Sequence, residues 1–216
     1  MSKVRVLLAE DHTIVRKGLR SLLDGEADIE VVGEADNGQQ AVEKAQRLLP
    51  DIVLMDITMP ILNGLEATRQ IKALRPQIKV VVLTVHSTAE YVFQILRAGG
   101  SGYVVKQAAV SELIQAIRAV YRGDTFLSPS VPRQAVDEYG RRAAAIEDKY
   151  AKLTAREREV LQMIAEGRTN RQIGNLMHVT VKTVEAHRAS LMNKLDLHTI
   201  AELTKYALRK GIANSE

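Results

Sequence analysis

The chain contains no cysteine, which excludes disulfides and thiolate metal sites and fits a cytoplasmic protein. No apolar run approaches the ~20 residues that span a bilayer. The longest, such as Val80–Val85, are short and rich in Val, so they read as buried strands. The start, Met1-Ser2-Lys3-Val4-Arg5, has no signal-peptide layout and runs straight into a strand. Repeats and low-complexity segments are also lacking. What is present is 216 residues, 46% hydrophobic and 26% charged, a soluble globular mixture long enough for two domains.

Net charge is +4 and unevenly placed. Residues 1–122 hold fifteen Lys and Arg against fourteen Asp and Glu, and residues 123–149 hold four against five. Residues 150–216 hold eleven against seven, so the whole excess lies in the C-terminal third, where a polyanion would bind.

Short Val/Ile/Leu runs at Val4–Ala9, Glu30–Ala35, Ile52–Asp56, Lys79–Thr84 and Tyr103–Val105 alternate with amphipathic stretches. The stretches are Ile14–Leu23, Gln39–Leu49, Gly64–Leu74, Ala89–Ala98 and Ser111–Tyr121. Five such units predict a doubly wound, five-stranded parallel α/β sheet over residues 1–122, with helices on both faces. Ser128-Pro129-Ser130-Val131-Pro132 breaks regular structure, and residues 123–149 read as a linker. From Leu153 the pattern is wholly helical. Thr154 with Glu157, Thr169 with Gln172 and Thr199 with Glu202 have capping-box spacing, and Gly167 ends the first helix. Residues 150–216 thus read as a small all-α domain of four helices.

In a doubly wound sheet, ligands bind at the carboxyl ends of the strands. Glu10 and Asp11 follow the first strand, Asp56 ends the third, Thr84 ends the fourth and Lys106 follows the fifth. Crowded carboxylates repel one another, and a hard cation such as Mg²⁺ relieves the repulsion. That leaves Asp56 free to attack phosphorus and form an acyl phosphate, with Thr84 and Lys106 binding the phosphoryl oxygens. Singly, each of these residues reads as a cap or a solvated loop charge; five at successive strand ends read as a site.

Residues 3–122 resemble the receiver domain of bacterial response regulators. The likeness rests on Leu8-Ala9-Glu10-Asp11-His12, Leu54-Met55-Asp56-Ile57-Thr58-Met59-Pro60, Asn63-Gly64, Leu83-Thr84 and Gly102-Tyr103-Val104-Val105-Lys106. The resemblance implies Asp56 as phospho-acceptor, with Glu10, Asp11, Asp56 and the backbone carbonyl of Thr58 on Mg²⁺. It implies Thr84 and Tyr103 as a switch pair and Lys106 as the phosphate's partner. Gln107 stands where many receivers carry proline. Thr58 and His86, two residues past Asp56 and Thr84, flank the expected path of hydrolytic water.

In the C-terminal third, Asn170–Met177, a turn at His178-Val179 and Thr180–Leu195 have helix-turn-helix spacing, whose second helix enters the major groove. Val181, Val184, Leu191 and Leu195 form its expected buried stripe; Lys182, Glu185, Ala186, Ala189 and Asn193 face outward. Lys182 can donate to guanine, Glu185 can accept from cytosine and Ala can touch a thymine methyl. Arg171, Thr183, Arg188 and Lys194 are placed for phosphates. Residues 150–211 resemble the LuxR-type DNA-binding domain, through Leu153-Thr154-x-Arg156-Glu157-x-Glu159-Val160-Leu161, Lys182-Thr183-Val184-Glu185-x-His187-Arg188 and Met192-x-Lys194-Leu195. By that resemblance Lys182, Glu185 and Ala186 read bases, His187 and Arg188 face or support phosphates, and the last helix, Ile200–Lys210, makes a dimer contact.

Receiver plus LuxR-type domain is the layout of the NarL/FixJ response regulators. The layout implies a sensor histidine kinase as donor, double-stranded DNA and the transcription machinery as partners, homodimers, and no membrane association. On this reading the chain is a phospho-accepting regulator, at most slowly dephosphorylating itself. Phosphorylation would draw in Thr84 and then Tyr103, and the altered surface would free Thr180–Leu195 or favour dimers. An aspartyl-phosphate phosphatase would also use Asp and Mg²⁺, but such enzymes place a second Asp where this chain has Thr58. A DNA-binding protein with a degenerate receiver would lack some of the five pocket residues, all of which are present.

Overall fold

The computed structural model describes residues 3–85, 88–107, 110–132, 137 and 149–213; His86 lies outside them. Its N-terminal half is built of β1 (Val4–Ala9), α1 (Thr13–Asp24), β2 (Ile29–Ala35), α2 (Gly38–Leu48), β3 (Ile52–Asp56), α3 (Gly64–Leu74), β4 (Lys79–Thr84), α4 (Ala89–Arg97), β5 (Gly102–Val105) and α5 (Val110–Arg122). All pairings are parallel, in the order β2-β1-β3-β4-β5 with β6 (Phe126–Leu127) beside β5, so the chain reverses direction across the sheet between β1 and β3.

Alternation of side chains across the pleat sorts the strands into two cores. Leu7, Val53, Met55, Val80, Val82 and Tyr103 pack on the side of α2, α3 and α4. Val6, Leu8, Leu54, Val81, Leu83 and Val104 pack with α5 residues such as Ile117 on the other. Both faces are covered, which is why these strands read as near-continuous apolar runs.

The sixth strand, β6 (Phe126–Leu127), corrects the expected count of five. It pairs with β5 through Gly102–Phe126 and Tyr103–Leu127, and lies in the stretch that composition assigns to a linker. The Ser-Pro segment that breaks helix also docks, because Ser128 is buried, accepts from the Val105 N–H at 3.0 Å and donates to Glu112.

The C-terminal helices are α6 (Ala155–Ala165), α7 (Asn170–Met177), α8 (Val181–Leu195) and α9 (Ile200–Arg209), preceded by a 3-10 turn at Lys149–Lys152. All three capping boxes form, at Thr154–Glu157, Thr169–Gln172 and Thr199–Glu202. Gly167, at φ +75°, turns the chain out of α6. Leu161, Ile173, Val184, Leu191 and Leu203 meet in one core. Val181, expected in the buried stripe, is instead 42% exposed, because the first turn of α8 projects beyond that core.

Candidate functional sites

The carboxyl ends of β1, β3 and β5 bring Glu10, Asp11, Asp56 and Lys106 together. Asp56 and Glu10 are almost fully buried, 3% and 1% exposed. Lys106 Nζ lies 2.7 Å from Glu10 Oε2 and 3.0 Å from Asp56 Oδ2, a cation set between two buried anions. Burial pushes the Asp56 carboxyl up to about 6; Lys106 draws it down, and Glu10 and Asp11 add to the rise. Burial lowers the Lys106 pKa, but Asp56 and Glu10 outweigh it, so the ammonium is held above its ordinary value.

Ligand atoms of Glu10, Asp11, His12 and Asp56 lie within 4.8 Å of one another. His12 Nδ1 sits 2.9 Å from Asp11 Oδ1, yet that buried oxygen makes no hydrogen bond of proper geometry. Three carboxylates gathered at one strand edge, with one buried oxygen left short of a well-formed hydrogen bond, fit a hard divalent cation, and His12 stands beside them as a partner of Asp11.

Backbone packing sets the loop beyond Asp56. A Cβ on Gly64 would fall 1.9 Å from the Asp56 carbonyl oxygen, so only glycine lets α3 start this close to the end of β3. The Gly64 N–H donates to the Ile57 carbonyl at 2.7 Å, and Asn63 caps α3 by accepting from the Glu66 N–H at 2.9 Å. Thr58 is carried on this loop at the mouth of the pocket, where it lines a cleft with Asp11.

Thr84 and Tyr103 are 1% and 0% exposed, and the Thr84 side chain lies close enough to the Tyr103 hydroxyl to draw its pKa down against the effect of burial. Burial pushes the Tyr103 phenol well above its ordinary value. The Lys106 N–H donates to the Thr84 carbonyl at 2.7 Å, tying the end of β5 to the end of β4.

On α8, Lys182, Glu185, Ala186, Ala189 and Asn193 are all exposed, along one face. Arg171 is exposed on α7, while Thr183, His187 and Arg188 are half-buried. Among the described residues this outward face of the helix is open. Lys194 differs from its neighbours, with Nζ 2.9 and 2.8 Å from the two oxygens of Glu157. Glu157 was legible in sequence only as a cap; that it also receives Ser190 Oγ at 2.6 Å was not. On α9, Leu203 and Ala207 belong to the domain's own core, while Ile200, 49% exposed, and Ala201 face outward and Leu208 is half-buried.

A buried acidic pocket at a parallel sheet's carboxyl edge, joined to a helix-turn-helix, defines a phosphorylation-controlled transcription regulator as a class. Residues 6–118 match the response regulator receiver domain family, and residues 151–207 match bacterial regulatory proteins of the luxR family. The chain is 40% identical over 214 residues to the oxygen regulatory protein NreC of Staphylococcus carnosus strain TM300, covering 97% of this chain and 99% of that one. Among solved structures, the response regulator ChrA of a heme-sensing two-component system shares 31% identity at a TM-score of 0.53, covering 98% of this chain and 100% of that one. RcsB of Salmonella typhimurium shares 26% identity at a TM-score of 0.59, covering 95% and 98%. The chain belongs to the two-component response regulators of the NarL/FixJ family. No helix among the described residues is long and apolar enough to cross a membrane.

Proposed function

We propose that Asp56 accepts a phosphoryl group from the phosphohistidine of a sensor kinase, and that the modified receiver controls binding of residues 150–216 to DNA. The division is residues 1–122 as receiver, 123–149 as joining segment and 150–216 as DNA-binding domain. The observation that carries the reading is Asp56, buried at a strand end, with Lys106 at 3.0 Å and two further carboxylates alongside.

Glu10, Asp11, Asp56 and the Thr58 carbonyl would hold Mg²⁺, which supplies charge neutralisation around the transferring group. Asp56 Oδ attacks phosphorus and the donor's bond to phosphorus breaks. Lys106 then leaves its ion pair to neutralise phosphoryl oxygens, and Thr84 donates its hydroxyl to them. Tyr103 loses its partner as Thr84 turns, so the β4–β5 edge repacks and α4 with it. Water that reaches the acyl phosphate past Thr58 reverses the state slowly, without making the chain an enzyme.

Lys182, Glu185 and Ala186 are assigned to base edges, and Thr183, His187, Arg188 and Arg171 to phosphates or their support. Lys194 joins the phosphate contacts only by giving up Glu157. A related structure is described as two RcsB dimers bound to two parallel DNAs, and here too a homodimer through α9 on double-stranded DNA would bring in the transcription machinery, in the cytoplasm.

The test is Asp56→Asn. Intact mass after incubation with acetyl phosphate and Mg²⁺ should rise by one phosphoryl group in the wild type and stay unchanged in the variant, since an amide is a poor nucleophile. An equal gain in both would remove Asp56 from its role.

A further inference from the structure

The two halves of the chain meet away from the DNA-reading face. At their junction lies Gln162 of α6, 1% exposed although polar. Its Oε1 accepts from the Asn63 N–H at 2.7 Å and from Asn63 Nδ2 at 3.0 Å, while its Nε2 donates to the Met59 carbonyl at 2.9 Å. One amide of the DNA-binding domain therefore grips both ends of the loop that follows Asp56. Between those ends, the Ile61 N–H donates to Glu166 Oε1 at 3.2 Å. Ile61 is β-branched and sits at φ +71°, a conformation held only where contacts over-determine it.

A second set of contacts flanks the grip. Glu66 of α3, 2% exposed, pairs with Arg158 of α6 at 3.1 Å, and Gln70 donates to Glu159 at 3.1 Å. At the far end of the DNA-binding domain Lys210 lies 3.4 Å from Glu90 of α4. Between the halves runs a cleft of about 700 Å³ whose walls include Asp11, Thr58 and Pro60 on one side and Gly167, Arg168 and Leu208 on the other. The domain that holds the loop thus also stands across the mouth of the acidic pocket.

We propose that Gln162 is a positioning residue for the phosphorylation loop of the receiver: it holds Met59–Asn63 in a docked conformation that slows phosphoryl uptake at Asp56. The inference rests on the reading of Asp56 as acceptor. Uptake requires an Asp56 oxygen to attack phosphorus while the donor's P–O bond breaks, acetate leaving with the electron pair when acetyl phosphate is the donor. The Thr58 carbonyl sits one residue before the gripped Met59, so closing on the metal and the phosphoryl group moves backbone that Gln162 immobilises. Linkage makes the effect reciprocal: what docking costs the phosphorylated state, phosphorylation costs docking. Control then acts through α6, which reads no bases, and needs no cover over α8.

The test uses the full chain. Time courses of mass gain with acetyl phosphate and Mg²⁺ are compared for wild type, Gln162→Met, which keeps the volume and loses the hydrogen bonds, and Arg158→Ala, which loosens docking elsewhere. Both variants should take up phosphoryl roughly fivefold faster or more, the lower range of allosteric coupling. Hydrogen exchange with and without beryllofluoride supplies a readout that stability alone would not move. The Ile61 and Asn63 amides, which donate to Glu166 and Gln162, should lose protection on beryllofluoride binding in the wild type, and should already be unprotected in Gln162→Met. If Gln162→Met takes up phosphoryl at or below the wild-type rate, or if only Arg158→Ala accelerates it, Gln162 does not position the loop. Acceleration without the exchange difference also overturns the proposal. A wild type that gains no mass overturns both this inference and the acceptor reading; one that gains mass while Gln162→Met is no faster overturns this inference alone.

Discussion

Replacing Glu157 by Gln should destabilise the DNA-binding domain in a way that depends on pH. Its carboxylate accepts from the Thr154 N–H at 2.7 Å, from Ser190 Oγ at 2.6 Å and from Lys194 Nζ at 2.9 and 2.8 Å, so it joins the start of α6 to the second half of α8. Burial works against the charge, but Lys194, Ser190 and the Thr154 N–H prevail and hold the pKa down to about 2 from an ordinary 4.5. A depressed carboxylate contributes stability that is complete above the unfolded value and is lost as pH falls toward the folded one. At roughly 1.4 kcal/mol per pH unit the separation amounts to about 3 kcal/mol. The partner Lys194 is one-third exposed and solvent screens the pair, so about 2–3 kcal/mol is the expectation for Glu157→Gln at pH 7. For a domain of this size each kcal/mol moves the melting temperature by about 4–8 °C. Calorimetry of the full chain should therefore show the C-terminal transition about 10 °C or more lower in the variant at pH 7, the N-terminal transition unmoved, and the gap closing as pH drops below 4. A loss under about 1 kcal/mol at pH 7, or a gap independent of pH, would refute the argument. Lys194→Ala should reproduce much of the loss, and its salt dependence of DNA binding should match the wild type if Lys194 stays with Glu157.

Lys106→Ala should still accept phosphoryl groups but lose the DNA response, because the cation that leaves Glu10 and Asp56 for the phosphate is gone; equal operator binding by phosphorylated variant and wild type would exclude Lys106 from the switch. Lys182→Ala should cost roughly 1–3 kcal/mol on the preferred site and little on random DNA, whereas Arg188→Ala should weaken every sequence and lower the log–log salt slope by about one. Footprinting with salt titration separates the two, and uniform weakening by Lys182→Ala would make it a phosphate contact. Mg²⁺ binding should weaken several-fold between pH 7 and pH 5, because an Asp56 carboxyl raised to about 6 is protonated at the lower pH and the metal must displace that proton. Calorimetric titrations in buffers of different ionisation enthalpy would show proton release near pH 6, and pH-independent affinity would count against Asp56 as a ligand.

Much of this protein is written locally. Parallel strands covered on both faces need unbroken apolar runs, so Val4–Ala9, Ile52–Asp56 and Lys79–Thr84 could be delimited to the residue from sequence. Capping boxes act over three residues, and all three form as their spacing indicated. The acidic pocket was legible because strand ends share one edge of such a sheet, so residues distant in sequence converge once the strands are placed.

Side-chain pairings across long separations were settled only by the tertiary structure. Ser128 reads as turn chemistry, yet β5 offers it a buried partner, and a two-residue strand forms where composition indicates a tether. Val181 continues an apolar stripe in sequence but overhangs the core it would join. Gln162 has no sequence signature at all. A glutamine on an amphipathic helix is ordinarily solvated, and only the meeting of α6 with the Met59–Asn63 loop, about a hundred residues earlier in the chain, turns its amide into a buried clamp. Periodicity and capping depend on neighbours within a turn or a strand, whereas docking depends on which surfaces of two folded units come together.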